Sequence, residues 1–237
     1  METKFSTRVW VSVVGIASIF LGSKGYADTV ISVADFGLKP DTRENAVAYV
    51  QKAIEACRGK EPVTLVFPEG RYDFWPQYAH EKNYYETNTY DVFPKRLAML
   101  FEGLHNITVD GSGSQFIMHD RIQPITVENC DGVTLKNFSI DWDIPLTAQA
   151  RVTKVGSDFF EIEINVLESP YIIEDGKLVF VGEGWKSALG SMIEFESDTH
   201  FVVPGTGDLV LGWNWGDYTA VSPCLLYTSD AADERSS

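Results

Sequence analysis

Apolar and polar positions divide the chain into segments with different rhythms. From Val9 to Leu21 apolar side chains run almost without a break, after Lys4 and Arg8 and before the small-residue stretch Gly25-Tyr26-Ala27. The run is short for a membrane span, which takes about 20 residues. The charged start and the small residues are what a signal peptidase reads. Residues 1–27 are therefore expected to be a signal peptide cleaved after Ala27, the alternative being an uncleaved anchor. No Cys follows the run, which argues against a lipoprotein.

Residues 28–75 predict strand, helix, strand. Val30 to Val33 alternates, Asp35-Phe36-Gly37 turns, and Asp41 or Thr42 is placed to cap a helix with Glu44 in its first turn. Ala46, Val47, Val50, Ala53, Ile54 and Cys57 recur at spacings of three and four, the buried face of an amphipathic helix that Gly59 would end. Val63 to Phe67 reads as a strand, and Pro68-Glu69-Gly70 as a tight turn before Tyr72.

A repeat follows at 97–142. Asn106 to Gly111 resembles Gly132 to Asn137 at an offset of 26, Phe116 to Asp120 resembles Phe138 to Trp142 at 22, and Leu97 to Phe101 resembles Pro124 to Glu128 at 27. Three short strands in each two dozen residues predict coils of a parallel β-helix, each burying its inner face against the next. A β-sandwich would share the alternation but not the offsets. Beyond residue 146 the rhythm is lost. Ala148 to Val155, Phe159 to Val166, Leu178 to Val181, Met192 to Phe195 and Leu209 to Leu211 are short strands separated by turns such as Glu174-Asp175-Gly176. This predicts antiparallel hairpins, a small barrel or sandwich inserted at 146–223 after a cap and first coils at 28–145. The segment from Cys224 to Glu234 resembles the translation of a transposase adapter used in sequencing libraries. Residues 224–237 are therefore expected to be an artefact, with further coils missing after Pro223.

Composition narrows the functions. With 44% hydrophobic and 22% charged residues the chain can build a core, which argues against disorder. Lys and Arg number 19 against 34 Asp and Glu, a net charge of −15. That balance opposes nucleic acid, anionic membrane surfaces and polyanionic substrates, and leaves neutral sugars, peptides and small molecules. Cys57 and Cys130 are expected to be small buried fillers, with a single bridge as the alternative. The four His, at 80, 105, 119 and 200, lack metal-ligand spacing, and no phosphate loop or nucleophile elbow is present, so no metal and no cofactor are expected.

Asp35-Phe36-Gly37, the helix after it and Phe67-Pro68-Glu69-Gly70-Arg71-Tyr72 resemble the entry of pectate-lyase-like right-handed β-helices, where the helix caps the open end of the solenoid. From Tyr72 the resemblance narrows. Arg71 to Pro76, Ala79 to Tyr85, Pro94-Lys95-Arg96, Asn106 to Gly111 and Asn137 to Trp142 resemble glycoside hydrolase family 110. These are bacterial exo-acting α-1,3-galactosidases of the type that cleaves blood-group-B glycans. The resemblance covers roughly residues 30–215. It implies an all-β fold: a right-handed parallel β-helix with an N-terminal capping helix and an inserted antiparallel β-barrel or sandwich. It also implies an exported enzyme, periplasmic or extracellular, that acts without a cofactor on a glycan ending in α-galactose and inverts the anomeric centre, with catalytic aspartates on coils after Pro223. As a fragment the chain is then expected to be inactive. The alternatives are another β-helical glycosidase, a polysaccharide lyase, which the acidic balance disfavours, or a glycan-binding β-helix without catalysis. Neither nucleic acid nor, after signal cleavage, a membrane is expected as a partner, and the oligomeric state is not specified.

Within the chain the carboxylate candidates are Asp141 and Asp143, two apart on a strand, with Cα atoms about 6.6–6.8 Å apart; the other reading is that they close a turn. Trp75, His80 and Tyr84 belong to an aromatic-rich segment, Tyr72 to Tyr90, that can hold a sugar or pack the loop onto the coils. Trp213, beside Trp215 in a Gly-rich stretch, can line a sugar site or face the core. Asp110-Gly111 reads as a turn.

Overall fold

The computed structural model describes residues 29–84, 94–156, 159–204, 209–210, 218–222 and 225–229. In chain order the elements are β1 (Thr29–Ser32), a short 3-10 turn (Val33–Phe36), α1 (Val47–Cys57), β2 (Val63–Val66), β3 (Arg71–Phe74), β4 (His80–Lys82), β5 (Lys95–Glu102), β6 (His105–Met118), β7 (Gln123–Glu128) and β8 (Asp131–Trp142). There follow β9 (Ala150–Val155), β10 (Phe159–Ile164), β11 (Tyr171–Glu174), β12 (Lys177–Gly182), β13 (Trp185–Ala188), β14 (Ser191–Met192), β15 (Leu209–Val210), β16 (Tyr218–Ser222) and β17 (Leu225–Ser229). The fold is predominantly strand.

Up to β8 the pairing is almost entirely parallel. β1, β2, β6 and β8 run side by side, β3 pairs with the second half of β6, and β5 pairs with β7. The exception is β4, antiparallel to β5. Ile107 to Asp110 is in register with Val133 to Lys136 at the expected offset of 26. The other two offsets are corrected. Leu97 pairs with Gln123, an offset of 26 rather than 27; the one-residue slip matters because it would turn every side chain to the opposite face. Phe116 pairs with Ile140, an offset of 24 rather than 22. The 22-residue match had aligned ring with ring, and the Phe116 and Phe138 rings do stack, 4.7 Å apart at 23°. The register moves from 26 to 24 between Asp110 and Ser114, where β6 bends. An even change keeps the inward face inward. At that bend Gly111 leaves no room for a side chain: a Cβ would stand 2.5 Å from that of Phe138.

The corners repeat as well. Gly103 and Asn129 have positive φ, as do Asn106 and Gly132, two pairs each separated by the 26-residue step. Only Gly and, less readily, Asn and Asp adopt that conformation at low cost, so these turns fall at such residues in both repeats.

The core lies between these parallel-paired strands and α1. Leu65, Phe67, Tyr72, Phe74, Met99, Phe101, Ile107, Val109, Phe116 and Met118 are buried, and α1 closes one side with Val47, Val50, Ala53, Ile54 and Cys57. Each large side chain contributes roughly 1.5–3 kcal/mol by leaving water. Burial pushes the Cys57 thiol up to about 11. Neither Cys57 nor Cys130 is bridged.

The helix begins later than expected. Asp41 and Thr42 do not cap it: Asp41 Oδ1 instead accepts from the Arg71 backbone N–H at 2.9 Å, and Thr42 closes a local turn onto Glu44. No side chain caps it at Ala46; Asn45, one residue earlier, accepts from the N–H of Val47 at 3.1 Å.

After β8 the pairing among described strands is antiparallel. β9, β10, β17 and β16 form one sheet, β11, β12 and β13 another, and β14 pairs with β15. The β11–β12 turn is Asp175-Gly176, both at positive φ, a two-residue hairpin of the expected kind. Leu225–Ser229, set aside above with the tail, pairs with β10 and β16.

Candidate functional site

β3, the end of β6, the exit of β8 and the β12–β13 turn meet at one edge of the coils. β3 alternates Tyr72 and Phe74 into the core, and Asp73, between them, is buried as well. A carboxylate there requires partners. Arg71 supplies them from the same strand, with Nε 3.0 Å from Asp73 Oδ1 and Nη2 2.5 Å from it. His119, just after β6 and also buried, places Nε2 2.9 Å from the same oxygen. Its Nδ1 lies 2.5 Å from Glu183 Oε2, in the turn between β12 and β13. Arg71 Nη2 also reaches Asp143 Oδ1 at 2.7 Å, and Arg43 flanks Asp143 at 3.9 Å. Burial pushes the Asp73 carboxyl up, but the hydrogen bonds from Arg71 and His119 outweigh it and hold it below the usual carboxylate range. The bond to Asp73 drives the Arg71 guanidinium upward.

This network limits its own chemistry. Both ring nitrogens of His119 face carboxylate oxygens, so neither is left to take a proton from a substrate. Asp73, His119 and Asp143 bring three potential ligand atoms within 4.8 Å of one another, a grouping the sequence spacing did not disclose. The Arg71 guanidinium is already hydrogen-bonded to both carboxylates of that group. The arrangement is an electrostatic clamp between coils and hairpins, not an acid–base pair.

Above the clamp lies Trp75. Its ring stacks on His119 with centroids 3.8 Å apart and planes 12° apart. Asn45 accepts from the Trp75 N–H at 3.3 Å and donates to Gln77 O at 2.9 Å, while Gln51 donates to Tyr78 O at 2.8 Å. The cap helix thus holds the Trp75–Ala79 segment in place. Trp75, Pro76, Gln77, Tyr78, Ala79, Glu81, Arg96 and Asp120 line an open depression of about 500 Å³.

The candidates from the sequence separate accordingly. Trp75 and Asp143 join one network. Asp141 does not: its Oδ1 accepts from the adjacent Trp142 N–H at 2.8 Å and it shares no partner with Asp143. Asp143 is held by arginines. His80 is exposed on β4, opposite Leu97. Tyr84 turns to the coil side, where its hydroxyl donates to Glu128, itself bound by Lys82 Nζ at 2.8 Å. The bond to Glu128 raises the Tyr84 phenol, and those from Lys82 and Tyr84 lower the Glu128 carboxyl. Trp213 lies outside the described residues. Asp110 is structural, accepting from Asn137 Nδ2 at 3.0 Å and from the Ser112 N–H at 2.9 Å.

Sequence reasoning missed Arg71, Asp73, His119 and Glu183 as a group. One signal was available: a carboxylate in β3 between two core aromatics, with an arginine two residues before it. The distance along the chain from Asp73 to His119 and on to Glu183 hid the rest.

Comparison with known proteins adds the following. A sequence-family model described as GLAA-B beta-barrel domain I matches residues 148–230. Alpha-1,3-galactosidase B of Bacteroides thetaiotaomicron is 58% identical over 208 residues, 88% of this chain and 34% of that protein. Alpha-1,3-galactosidase A of Shewanella woodyi is 35% identical over 169 residues, 70% of this chain and 28% of its own. Alpha-1,3-galactosidase B of Parabacteroides distasonis is 33% identical over 234 residues, 96% and 37% respectively. The chain spans about a third of the length of the curated relatives it matches.

Proposed function

We infer, from the membership of this chain in the alpha-1,3-galactosidase family, glycoside hydrolase family 110, that it forms the N-terminal part of an exported enzyme removing terminal α-1,3-linked galactose from glycans. The observation that carries this reading is the 58% identity over 208 residues to alpha-1,3-galactosidase B of Bacteroides thetaiotaomicron. The parallel strands from β1 to β8 are read as the first coils of a right-handed β-helix capped by α1, and residues 146–223 as its antiparallel insertion. Residues 1–27 direct export to the periplasm or the exterior.

The reaction is hydrolysis with inversion. It takes one carboxylic acid to protonate the leaving oxygen and one carboxylate to activate water, about 6.5–9.5 Å apart. The clamp does not offer such a pair, because Asp73 and Asp143 are tied to Arg71. The acid and base are accordingly assigned to coils that follow Pro223. The part seen here supplies the capped start of the solenoid and a glycan-facing edge.

The test is the full-length protein with an α-1,3-linked galactoside, followed by proton NMR from the first minute. Release of β-galactose before mutarotation is the expected result. Release of the α-anomer first would replace inversion by retention, and no release would remove the activity. A mature N-terminus at Asp28 in the exported protein checks the leader.

A further inference from the structure

We propose that the depression beside Trp75 and Tyr78 is a subsite for one ring of a neutral oligosaccharide. This rests on the glycan-directed reading above and extends it to particular residues. A sugar ring presents an apolar C–H face and a rim of hydroxyls. It needs a flat, rigid surface and polar groups at the edge. Trp75 meets the first need. His119 covers one side of its ring at 3.8 Å, and that imidazole is fixed from both nitrogens by Asp73 and Glu183. The indole is therefore oriented before any ligand arrives, which lowers the entropic cost of binding.

Tyr78 is the second observation. It is 64% exposed, and its φ is +69°, a conformation a bulky side chain seldom adopts. The strain is held by Gln51, which donates to Tyr78 O, and by the turn in which the Ala79 N–H donates to Pro76 O at 3.0 Å. An exposed aromatic kept in a costly backbone conformation by a helix side chain is the kind of outlier that functional surfaces retain.

The rim decides the ligand class. Glu81, Arg96 and Asp120 bring acceptors and donors suited to hydroxyls. Two carboxylates against one guanidinium, on a chain of net charge −15, disfavour a uronate or another acidic sugar. A volume of about 500 Å³ accommodates a sugar ring with room at its edge.

The experiment is calorimetric titration of the full-length protein with a neutral galactose-terminated tetrasaccharide whose terminal linkage is sulfur, so that it resists cleavage, and with a trigalacturonate as the charged counterpart. The neutral ligand should bind and the charged one should not. Tyr78→Ala, at an exposed position, should weaken neutral binding about tenfold, as should Trp75→Ala. Trp75→Phe, which keeps a ring over His119, should retain more of the affinity and guards against a folding defect in Trp75→Ala. Unchanged affinity in Tyr78→Ala and Trp75→Ala, or preference for the trigalacturonate, overturns the subsite. Hydrolysis of α-1,3-galactosides with unchanged affinities removes the subsite alone. Absent hydrolysis with the tenfold losses intact removes the galactosidase reading and leaves the subsite standing.

Discussion

The parallel-paired region up to β8 and the hairpins after Ala150 are both built from short alternating strands, yet they bury very different amounts of themselves. Every second side chain of β2 and of much of β6 reaches one continuous core. Among the described residues of the hairpin region, only Ile162, Ile164 and Leu178 form a buried cluster; every residue of β9 is exposed, as are Leu167, Phe195 and Phe201. The difference is one of geometry. Parallel strands paired at a fixed step repeat the same inward position, so each strand extends the buried face of the one before it. A hairpin pairs its backbone locally but needs a second sheet to cover its face. Alternation predicts a strand; it does not say what lies opposite.

That contrast can be broken most sharply by truncating rings. Phe116 touches Phe67, Phe74 and Phe138 and is fully buried, so Phe116→Ala should cost about 3–5 kcal/mol in a urea titration. Phe201, 72% exposed, should cost under about 0.5 kcal/mol on the same change. Similar losses at the two positions would show that the hairpins bury as much as the coils do.

Acid should separate the regions next. Asp73 is held below its ordinary range in the folded protein, so its contribution to stability is present above the unfolded carboxylate value of about 3.9 and is lost as pH falls through the lowered value. The urea midpoint should therefore fall below about pH 4. Asp73→Asn should start less stable and show a shallower fall. An equally steep fall in Asp73→Asn would assign acid sensitivity to other carboxylates.

The smallest effect concerns the joint itself. Glu183 is the hairpin's grip on His119. Glu183→Gln keeps the shape and removes the charge, at a cost of about 1 kcal/mol. Limited proteolysis should then cut the hairpins, 150–204, sooner while the coils resist. Cleavage at an unchanged rate would mean that the remaining contacts, such as Arg121 over the Trp185 ring, hold the two regions together.

Much of the fold was legible in the chain. The helical spacing of Val47, Val50, Ala53, Ile54 and Cys57 is a local property, and all five are buried as expected. The 26-residue step from Asn106 to Gly132 was readable because a corner needs a residue that tolerates positive φ. The 22- and 27-residue offsets went astray for a related reason. Short apolar runs match at several shifts, and only backbone pairing chooses among them. Of the site, the aromatic character of Trp75 to Tyr84 was legible, while its division was not: Trp75 over the clamp, Tyr84 on the coil side.

The sequence by itself determined the strands, the amphipathic helix, the acidic balance and the family, because propensity, periodicity and motif are carried by neighbours along the chain. Only the tertiary structure decided that Arg71, Asp73, His119, Asp143 and Glu183 form one charge network and that Trp75 rests upon it. Those contacts join β3, the end of β6, the exit of β8 and a hairpin turn, 46 residues from Asp73 to His119 and 64 more to Glu183. Parallel pairing of β3, β6 and β8 at fixed register brings them to one edge. Burial of Asp73 then requires compensating partners there, whatever their distance in sequence.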